Sequence, residues 1–334
     1  MRFRRTTLRS LGGPLAAPVA SSQKSWGARA SLILELYDEE GRIGRGEASP
    51  LPGYSPDDLA LATRALTDVH ARIGSSALEA ELAKLPSARF ALETAMLDLE
   101  SQARGVSIAS ILGKTPLPHV PRSGLVDRSD AVSSAKALVA RGIGTLKMKV
   151  GGCPFADDLA RVSALRSALG ASFKLRLDAN GAWSATEARA HLELLAPFDL
   201  ELVEEPTAGD GLLRLGTCAV PWAADESLQD AARAAALLLD PACAAVVLKP
   251  QLLGLYGARA LALAAIQRGK RVIVTHCFDG PIAIAAACEL ALSLPAMPLA
   301  CGLDLHPALA AWPSVAIPHL ATPGFVVSRI GEAA

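Results

Sequence analysis

Three things that this chain of 334 residues lacks exclude whole classes of function. It has no surplus of positive charge, because 33 basic and 33 acidic side chains balance, and a protein that binds nucleic acid electrostatically needs such a surplus. Its six cysteines form no C-x-x-C pair and no zinc-ligand spacing, so we expect buried thiols in a reducing, cytoplasmic compartment. Aromatic residues are only 4%, which leaves core packing to aliphatic side chains.

An uninterrupted membrane-spanning run is also missing. The segment from Pro281 to Leu303 is almost free of charge, but Glu289, Pro295 and Pro298 interrupt it, which favours a buried helix followed by a buried strand. The first 22 residues have the basic head of a secretory signal, yet two glycines and two prolines break the apolar stretch. We therefore expect a cytoplasmic protein with neither a membrane nor a nucleic-acid partner.

The first third of the chain has the pattern of an α+β unit. Residues 29–48 read as two strands joined by the turn-forming DEEG, which predicts a hairpin. From Asp57 to about Gly105 apolar residues recur every three or four positions, as in amphipathic helices. Pro116 and Pro118 mark the end of this unit, because proline limits helix continuation.

After Pro118 short aliphatic runs alternate with about seven helical stretches. The chain exceeds the roughly 250 residues of a (β/α)₈ barrel by about 85, so a barrel with an attached unit fits its length. The alternation predicts an α/β fold with parallel strands in a closed barrel. A doubly wound open sheet is the alternative, but no G-x-G-x-x-G follows the first strand. The eight runs are HVPRSGLV, TLKMKV, FKLRLDA, LELVEEP, WAADES, AAVVLKP, RVIVTHC and PLACGLD.

Ionisable or polar side chains recur at the carboxyl ends of five consecutive predicted strands. Buried parallel strands are normally continuous aliphatic runs, and a charge there costs several kcal/mol unless it is paired or metal-bound. The carboxyl ends of the strands form the catalytic face of a barrel. The sequence therefore predicts one polar pocket at this face. Its candidate residues are Lys147, Lys149, Asp178, Asn180, Glu204, Glu205, Asp225, Glu226 and Lys249.

Acidic positions on three adjacent strands indicate a cation site. They supply oxygen ligands only, which suit a hard divalent ion such as Mg²⁺, and ligand type alone does not choose between Mg²⁺ and Mn²⁺. Strand alternation says that one of Glu204 and Glu205, and one of Asp225 and Glu226, points inward. It does not say which.

The lysines indicate acid–base chemistry. Lys147 and Lys149 are two residues apart on a strand, so both point to one side while Met148 points away. Neighbouring ammonium groups and partial burial lower a lysine pKa, which produces a base near neutral pH. Lys249 is expected to face them across the pocket. A divalent ion between these lysines would stabilise the charge formed when a proton leaves the carbon next to a carboxylate.

The motifs TLKMKV, LRLDANGAW, LVEEP, WAADESL and VVLKP resemble the enolase superfamily, specifically its muconate lactonizing enzyme subgroup. The resemblance spans nearly the whole chain. It implies an N-terminal α+β capping domain over residues 1–115 and a (β/α)₇β TIM-like barrel over residues 116–306. Residues 307–334 are then expected to return to the cap.

The resemblance also implies roles for six residues and a reaction. It makes Lys149 the acid/base, Lys147 its modulating partner and Lys249 the opposite lysine. The segments GEASPLPGYS and LRLDANGAW look most like the o-succinylbenzoate synthases of this superfamily. Those enzymes imply an Mg²⁺-dependent syn-dehydration of a small carboxylate, 2-succinyl-6-hydroxy-2,4-cyclohexadiene-1-carboxylate, through an enediolate, in menaquinone biosynthesis. The implied metal ligands are Asp178, Glu204 and Asp225.

Three other functions stay open at this point. A dipeptide epimerase or N-acylamino acid racemase would use the same metal and lysines, although His306 stands where epimerases tend to carry the second aspartate of an Asp-x-Asp. A Schiff-base aldolase using Lys249 and a noncatalytic barrel are the others. Cys277, Phe278 and Asp279 fill a loop that is often serine-rich in related synthases, so the substrate contacts there are undetermined, as is the oligomeric state.

Overall fold

The computed structural model describes residues 2–20, 24–113 and 115–304, and it contains two sheets. One is a three-stranded antiparallel sheet in the order β1-β2-β3, and the other is a seven-stranded parallel sheet that runs in chain order from β4 to β10. The strands are β1 (Phe3–Ala20), β2 (Ser25–Asp38), β3 (Ile43–Ala48), β4 (Ser123–Val126), β5 (Thr145–Lys149), β6 (Lys174–Asp178), β7 (Leu202–Glu204), β8 (Trp222–Ala224), β9 (Cys243–Leu248) and β10 (Arg271–Val274).

Helices connect the parallel strands and complete the N-terminal unit. The helices are α1 (Leu59–Leu66), α2 (Ser76–Leu82), α3 (Pro86–Arg104), α4 (Ile108–Leu112), α5 (Ala131–Ala140), α6 (Phe155–Leu169), α7 (Ala185–Leu195), α8 (Asp210–Leu213), α9 (Ala231–Leu239), α10 (Pro250–Leu253), α11 (Leu255–Gln267) and α12 (Pro281–Leu292). The predicted helical region 57–105 is thus divided into several helices. The division between the two units after residue 115 falls between α4 and β4 and stays a prediction.

The N-terminal sheet contains the predicted hairpin and one strand that the sequence pattern did not predict. Strands β2 and β3 form the hairpin, and β1 pairs with β2 in antiparallel register, with Leu8 opposite Leu34. The register shifts between Pro14 and Val19. A strand that contains proline fits at a sheet edge, where its missing N–H is not needed, and this is where β1 lies.

Helix α3 packs directly on β3 because two glycines leave room for it. A β-carbon on Gly44 would lie 2.1 Å from the carbonyl oxygen of Ala95, and one on Gly46 would lie 1.8 Å from that of Ala91. Any larger residue would therefore separate the helix from the sheet. The close contact fixes the position of the end of β3, from which the loop toward the parallel strands departs.

The parallel sheet has both of its edges hydrogen-bonded to one segment, residues 299–302. The N–H of Leu299 donates to Val272 at 2.8 Å, next to the β10 edge. On the other side the carbonyl of Cys301 accepts from Ser123 of β4 at 2.9 Å. These residues lie in the last of the eight predicted runs, PLACGLD, and the other seven runs contain β4 to β10.

The apolar segment after Pro281 forms the predicted buried helix, since every residue of α12 is buried. Within the residues that the structure describes, no helix is both long and apolar enough to cross a membrane. His306 and the segment 307–334 lie outside the described residues, so their predicted return to the cap stays a prediction.

Candidate active site

The carboxyl ends of β5, β6 and β7 bring the predicted residues side by side. Lys149 is in register with Asp178, and Asp178 is in register with Glu204. A cavity of about 140 Å³ opens at this edge. Residues in and after the parallel strands line it, together with Trp26, Leu51 and Tyr54 of the N-terminal unit. The charged residues on its wall are Arg141, Lys147, Lys149, Asp178, Glu226, Lys249 and Asp304, whereas Glu204, Glu205 and Asp225 lie behind this wall.

Lys147 is held between two carboxylates. Its Nζ lies 3.0 Å from Oδ2 of Asp178 and 3.0 Å from Oε2 of Glu204. Burial works against its charge, but these two carboxylates outweigh burial and raise the pKa of Lys147 above its ordinary value. Lys147 is therefore a permanent cation at neutral pH. Met148 is completely buried on the opposite side of the strand, as the alternation predicted.

Lys149, two residues further on, has the opposite electrostatic behaviour. Burial lowers its pKa, and the ammonium groups of Lys147 and Lys249 lower it further against the attraction of Asp178. The Nζ of Lys149 lies 5.8 Å from the centroid of the Phe278 ring. Lys149 is therefore the more easily deprotonated of the two lysines, because the pKa of Lys147 is raised.

Lys249 directly follows β9 and lines the same cavity as the other two lysines. Its Nζ lies 2.6 Å from the Tyr54 hydroxyl, 2.6 Å from Oδ2 of Asp225 and 3.1 Å from Oε1 of Glu226. Burial alone would lower its pKa, but Asp225 and Glu226 raise it well above the ordinary value. Lys249 is thus a fixed cation with three contacts.

The structure distinguishes Glu204 from Glu205 by their contacts. Glu204 contacts Lys147, whereas Glu205 accepts hydrogen bonds from the N–H groups of Asp225 at 2.7 Å and Ser227 at 3.1 Å. Glu205 has a left-handed backbone with φ of 38°, which turns its side chain toward this tight turn. Glu205 therefore supports the local backbone after β8.

The contacts do not distinguish Asp225 from Glu226 as they distinguish Glu204 from Glu205, because both Asp225 and Glu226 contact Lys249. Glu226 also accepts from the Tyr54 hydroxyl at 2.7 Å and from the Asn180 side-chain amide at 3.2 Å. Burial, followed by repulsion from Glu226, raises the pKa of Asp225 well above its ordinary value. The two carboxylates thus crowd each other beside a single ammonium group.

The donor set fits a divalent cation in charge and in ligand type. Five carboxylates meet three ammonium groups, which leaves an excess of two negative charges when all are ionised. Among the described residues, Oε1 of Glu204, Oε2 of Glu226 and Oδ1 of Asn180 are buried without a hydrogen-bond partner. Buried oxygens without partners are costly, and a hard cation satisfies them. The carboxylates are Asp178, Glu204, Glu205, Asp225 and Glu226.

The side chains as they stand do not yet form a closed ligand cage. Among the described residues, no three carboxylate, imidazole or thiol groups converge as metal ligands. The reason is visible in the contacts: Lys147 bridges Asp178 and Glu204, and Lys249 holds Asp225. The Nζ of Lys147 lies equally close to Asp178 and Glu204. These two carboxylates therefore already converge on one cation.

The structure places at the cavity Tyr54, which the sequence did not single out, and Phe278, whose loop the sequence named without assigning a contact. Tyr54 comes from a Pro- and Gly-rich loop, and Phe278 from the loop after β10, so neither lies on a periodic element that would point to the site. His276, in the loop after β10, contacts main-chain groups. Its Nδ1 accepts from the Asp279 N–H at 3.3 Å, and its Nε2 lies 3.0 Å from the Asp304 carbonyl oxygen. That pattern indicates a structural histidine.

Comparison with known families matches both parts of the chain. Residues 130–324 match the family described as "Enolase C-terminal domain-like", which covers more than half of the chain. Residues 3–99 match the family described as "MenC, N-terminal domain". The first match contains the parallel strands from β5 onward, and the second contains β1 to β3.

Three curated relatives carry two different activities in their names. The chain is 38% identical to o-succinylbenzoate synthase from Thermobifida fusca over 188 residues, 55% of this chain and 59% of that enzyme. It is 33% identical to o-succinylbenzoate synthase from Thermosynechococcus vestitus over 233 residues, 66% of this chain and 67% of that enzyme. It is also 35% identical to a hydrophobic dipeptide epimerase from Enterococcus faecalis over 189 residues, 53% of each protein.

Among solved structures, a dipeptide epimerase from Enterococcus faecalis complexed with Mg and the dipeptide L-Leu-L-Tyr superposes with a TM-score of 0.85. The identity is 25%, and the match covers 98% of this chain and 99% of that chain. The order of the strands, the lysines and carboxylates at their carboxyl ends and the family matches agree: this chain belongs to the enolase superfamily.

Proposed function

We propose that this protein is an o-succinylbenzoate synthase that dehydrates 2-succinyl-6-hydroxy-2,4-cyclohexadiene-1-carboxylate in menaquinone biosynthesis. The observation that carries the proposal is the pairing of one lysine of lowered pKa with one fixed ammonium group across a single cavity. The match of residues 3–99 to the MenC N-terminal family supports it, because this part contributes Trp26, Leu51 and Tyr54 to the cavity.

The proposal includes the complete architecture expected from the sequence. Residues 1–115 form the cap, residues 116–306 form a (β/α)₇β barrel, and residues 307–334 return to the cap. Support for closure comes from the segment 299–302, which is hydrogen-bonded to residues at both edges of the seven-stranded sheet. In a closed barrel the strand ends converge on one pocket, where catalytic side chains from several strands can meet.

Asp178, Glu204 and Asp225 would hold Mg²⁺, and the crowding of Glu226 against Asp225 supports a cation at this point. Bound there, the ion would supply positive charge for the substrate carboxylate and for the negative charge that develops beside it. The contacts of Lys147 with Asp178 and Glu204 would then be shared with or replaced by the ion.

Lys149 would carry out both proton transfers of the dehydration. Its neutral amine takes the proton from the carbon next to the ring carboxylate, and the electron pair of that C–H bond remains on the substrate. The resulting ammonium then gives a proton to the departing hydroxyl as the C–O bond breaks, so that water leaves. One group can serve both steps because, in a syn elimination, proton and hydroxyl lie on the same face of the ring.

The two other lysines would contribute charge. Lys147 keeps its proton, so its ammonium group helps to keep the pKa of Lys149 low. Lys249 would present its ammonium group to the other face of the substrate and stabilise the anionic intermediate. Tyr54, Asp225 and Glu226 fix it in this position.

A dipeptide epimerase is the second candidate, because lysines stand on both sides of the cavity and the superposed epimerase covers nearly the whole chain. Two observations favour the synthase over it. An epimerase needs a base on each face, but Lys249 is anchored as an ammonium group by three contacts. Moreover, Asp304, after the last strand, is paired with Arg122 at 3.4 Å and Arg141 at 2.7 Å, so its carboxylate is already engaged by cations.

The deciding experiment supplies the cyclohexadiene precursor to wild-type protein with Mg²⁺, with excess EDTA, and to the Lys149→Ala variant with Mg²⁺. Rapid loss of the precursor absorbance in the first sample alone is the expected result. The same preparation is incubated with dipeptides in deuterated water, and α-proton exchange is followed by NMR. Exchange without dehydration would replace the synthase by the epimerase. Mg²⁺-independent turnover that borohydride blocks would support the Schiff-base aldolase.

A further inference from the structure

One buried guanidinium, that of Arg29 on β2, connects the cap to the loop after β10. Arg29 is only 2% exposed, and its side chain makes four hydrogen bonds to main-chain and hydroxyl oxygens. A buried arginine is costly unless its donors are satisfied, so this position is stable only when both segments are in place.

On the cap side, Arg29 holds the start of the loop that carries Tyr54. Its Nη1 donates to the Pro50 carbonyl at 2.9 Å, and its Nη2 donates to the Ser49 carbonyl at 2.8 Å and the Ser49 hydroxyl at 2.7 Å. Leu51 and Tyr54 follow directly in this loop and line the cavity. Through Tyr54 the loop touches Lys249.

On the barrel side, the same guanidinium holds Phe278. The Nε of Arg29 donates to the Phe278 carbonyl at 2.9 Å, and its Nη2 lies 4.0 Å from the carboxylate of Asp279. Phe278 has a φ of 55°, a left-handed conformation that is strained for a bulky residue and needs external support. Its ring lines the cavity and faces Lys149.

Neighbouring contacts tie the same two segments together. The carboxylate of Glu47, at the end of β3, accepts from the N–H groups of Ile282 at 3.0 Å and Ala283 at 3.1 Å at the start of α12. A β-carbon on Gly280 would lie 1.8 Å from this carboxylate, so the approach is close. Arg29 is the member of this group that reaches the residues on the cavity wall.

We infer that Arg29 is a positioning residue that sets the distance between the two walls of the cavity, the Tyr54 wall at Lys249 and the Phe278 wall at Lys149. The expected effect of Arg29 on turnover rests on the proposed function, whereas its positioning of the two walls does not. Lysine cannot replace it fully, because a single ammonium nitrogen cannot span carbonyl groups on two chain segments that the arginine fork reaches simultaneously.

Two measurements on the full-length protein test this role. The first is hydrogen–deuterium exchange in peptides that cover residues 48–56 and 275–284. The second is the separate determination of kcat and KM with the cyclohexadiene precursor and Mg²⁺. The variants are Arg29→Met, which removes all four donations, and Arg29→Lys, which keeps the charge. Arg45→Met is the matched control, since it removes a cap arginine that pairs with Glu35 away from both loops.

In Arg29→Met we expect exchange to accelerate about tenfold in both peptides together, because one residue supports both segments. We expect kcat to fall about a hundredfold, as for a misplacement of reacting groups by about 1 Å. Arg29→Lys should recover part of both effects, and Arg45→Met should match wild type in both.

Unchanged exchange in the 275–284 peptide, or a kcat within threefold of wild type, would overturn the inference. If Arg29→Met does not fold, as judged by circular dichroism, the same criteria are applied to Arg29→Lys. A wild-type protein without dehydratase activity would end the proposed function, yet joint acceleration in the two peptides would still establish that Arg29 couples the walls.

Discussion

The two ends of the parallel sheet both carry buried charges, but they use them differently. At the amino end, Arg176 of β6 is completely buried and pairs with Glu201 at 2.5 Å, and Lys174 reaches the same carboxylate at 2.9 Å. Arg176 also donates to the carbonyl of Ala300 at 2.6 Å. At the carboxyl end, carboxylates outnumber lysines, and buried oxygens such as Oε1 of Glu204 have no partner among the described residues.

This difference separates charges that join parts of the fold from charges to which the proposed function assigns chemistry. The arginine at the amino end joins β6 to the segment that contacts both sheet edges, which is a structural task. Among the described residues Nη2 of Arg176 also has no partner, but the carboxyl end keeps like charges close together and leaves carboxylate oxygens unsatisfied, which destabilises the protein unless a ligand compensates. Substitutions at the two ends should therefore have opposite effects on stability and turnover.

The largest effect is expected at Lys149. Replacing it with alanine removes the only proposed acid/base, so kcat for the cyclohexadiene precursor should fall by at least about a thousandfold. The melting temperature should change little, since the lowered pKa means that burial of this charge costs stability. Steady-state kinetics and thermal unfolding of the same preparation check both parts. Residual activity near wild type would remove Lys149 from the mechanism.

The metal site should show the next largest effect. Glu204→Gln removes one excess negative charge, so it should leave the Mg²⁺-free protein at least as stable as wild type. It should also weaken Mg²⁺ binding, measured by calorimetry, and lower turnover at limiting Mg²⁺ by about a hundredfold. Glu79→Gln, on α2 of the cap, is a control that changes charge equally. Normal Mg²⁺ affinity in Glu204→Gln would contradict the proposed ligand set.

At the amino end the expectation is reversed. Arg176→Met leaves the carboxylate of Glu201 with Lys174 alone and removes the bond to Ala300, so it should lower the free energy of unfolding by about 3 kcal/mol or more. Turnover per folded molecule should stay near the wild-type value. Chemical denaturation followed by an active-site titration would measure the two quantities separately. If Arg176→Met lost kcat but kept the wild-type free energy of unfolding, the proposed distinction between the two ends of the sheet would be wrong.

The smallest effect concerns a structural carboxylate far from the cavity. Glu289 of α12 is completely buried, and its Oε2 accepts from the Ala109 N–H at 2.6 Å. Burial raises the pKa of Glu289 to about 7 from an ordinary value near 4.5. Because the folded-state pKa is the higher one, the carboxylate opposes folding increasingly as pH rises from about 4.5 to 7, and the full cost is present above 7.

Glu289→Gln, which imitates the protonated acid, should therefore be more stable than wild type at pH 8, by on the order of 3 kcal/mol at most, and about equal at pH 4.5. Thermal unfolding at several pH values gives this difference. A difference that does not grow with pH would show that the charge of Glu289 is compensated in the fold. At each pH, the turnover of Glu289→Gln should equal that of wild type.

Most residues of the candidate site could be predicted because local sequence patterns place their side chains on particular strands. The K-x-K spacing places Lys147 and Lys149 on one side of β5, and the structure confirms that Met148 lies on the other. Asp178 and Glu204 are the last residues of β6 and β7, and they stand in register. By contrast β1 was missed, because Gly12, Gly13 and Pro14 hide the alternation of an edge strand.

The sequence by itself determined which ionisable groups lie at the carboxyl ends of the strands and on which strand each one lies, because strand periodicity is local. Only the tertiary structure decided their contacts and the directions in which their pKa values shift. The pKa of Lys147 is raised because Asp178 and Glu204 both contact it, whereas burial dominates at Lys149 and lowers its pKa. Glu205 accepts from the N–H groups of Asp225 and Ser227 instead. Arg29 and Phe278 meet although 249 residues separate them. Such contacts depend on packing between distant segments, which no local pattern encodes.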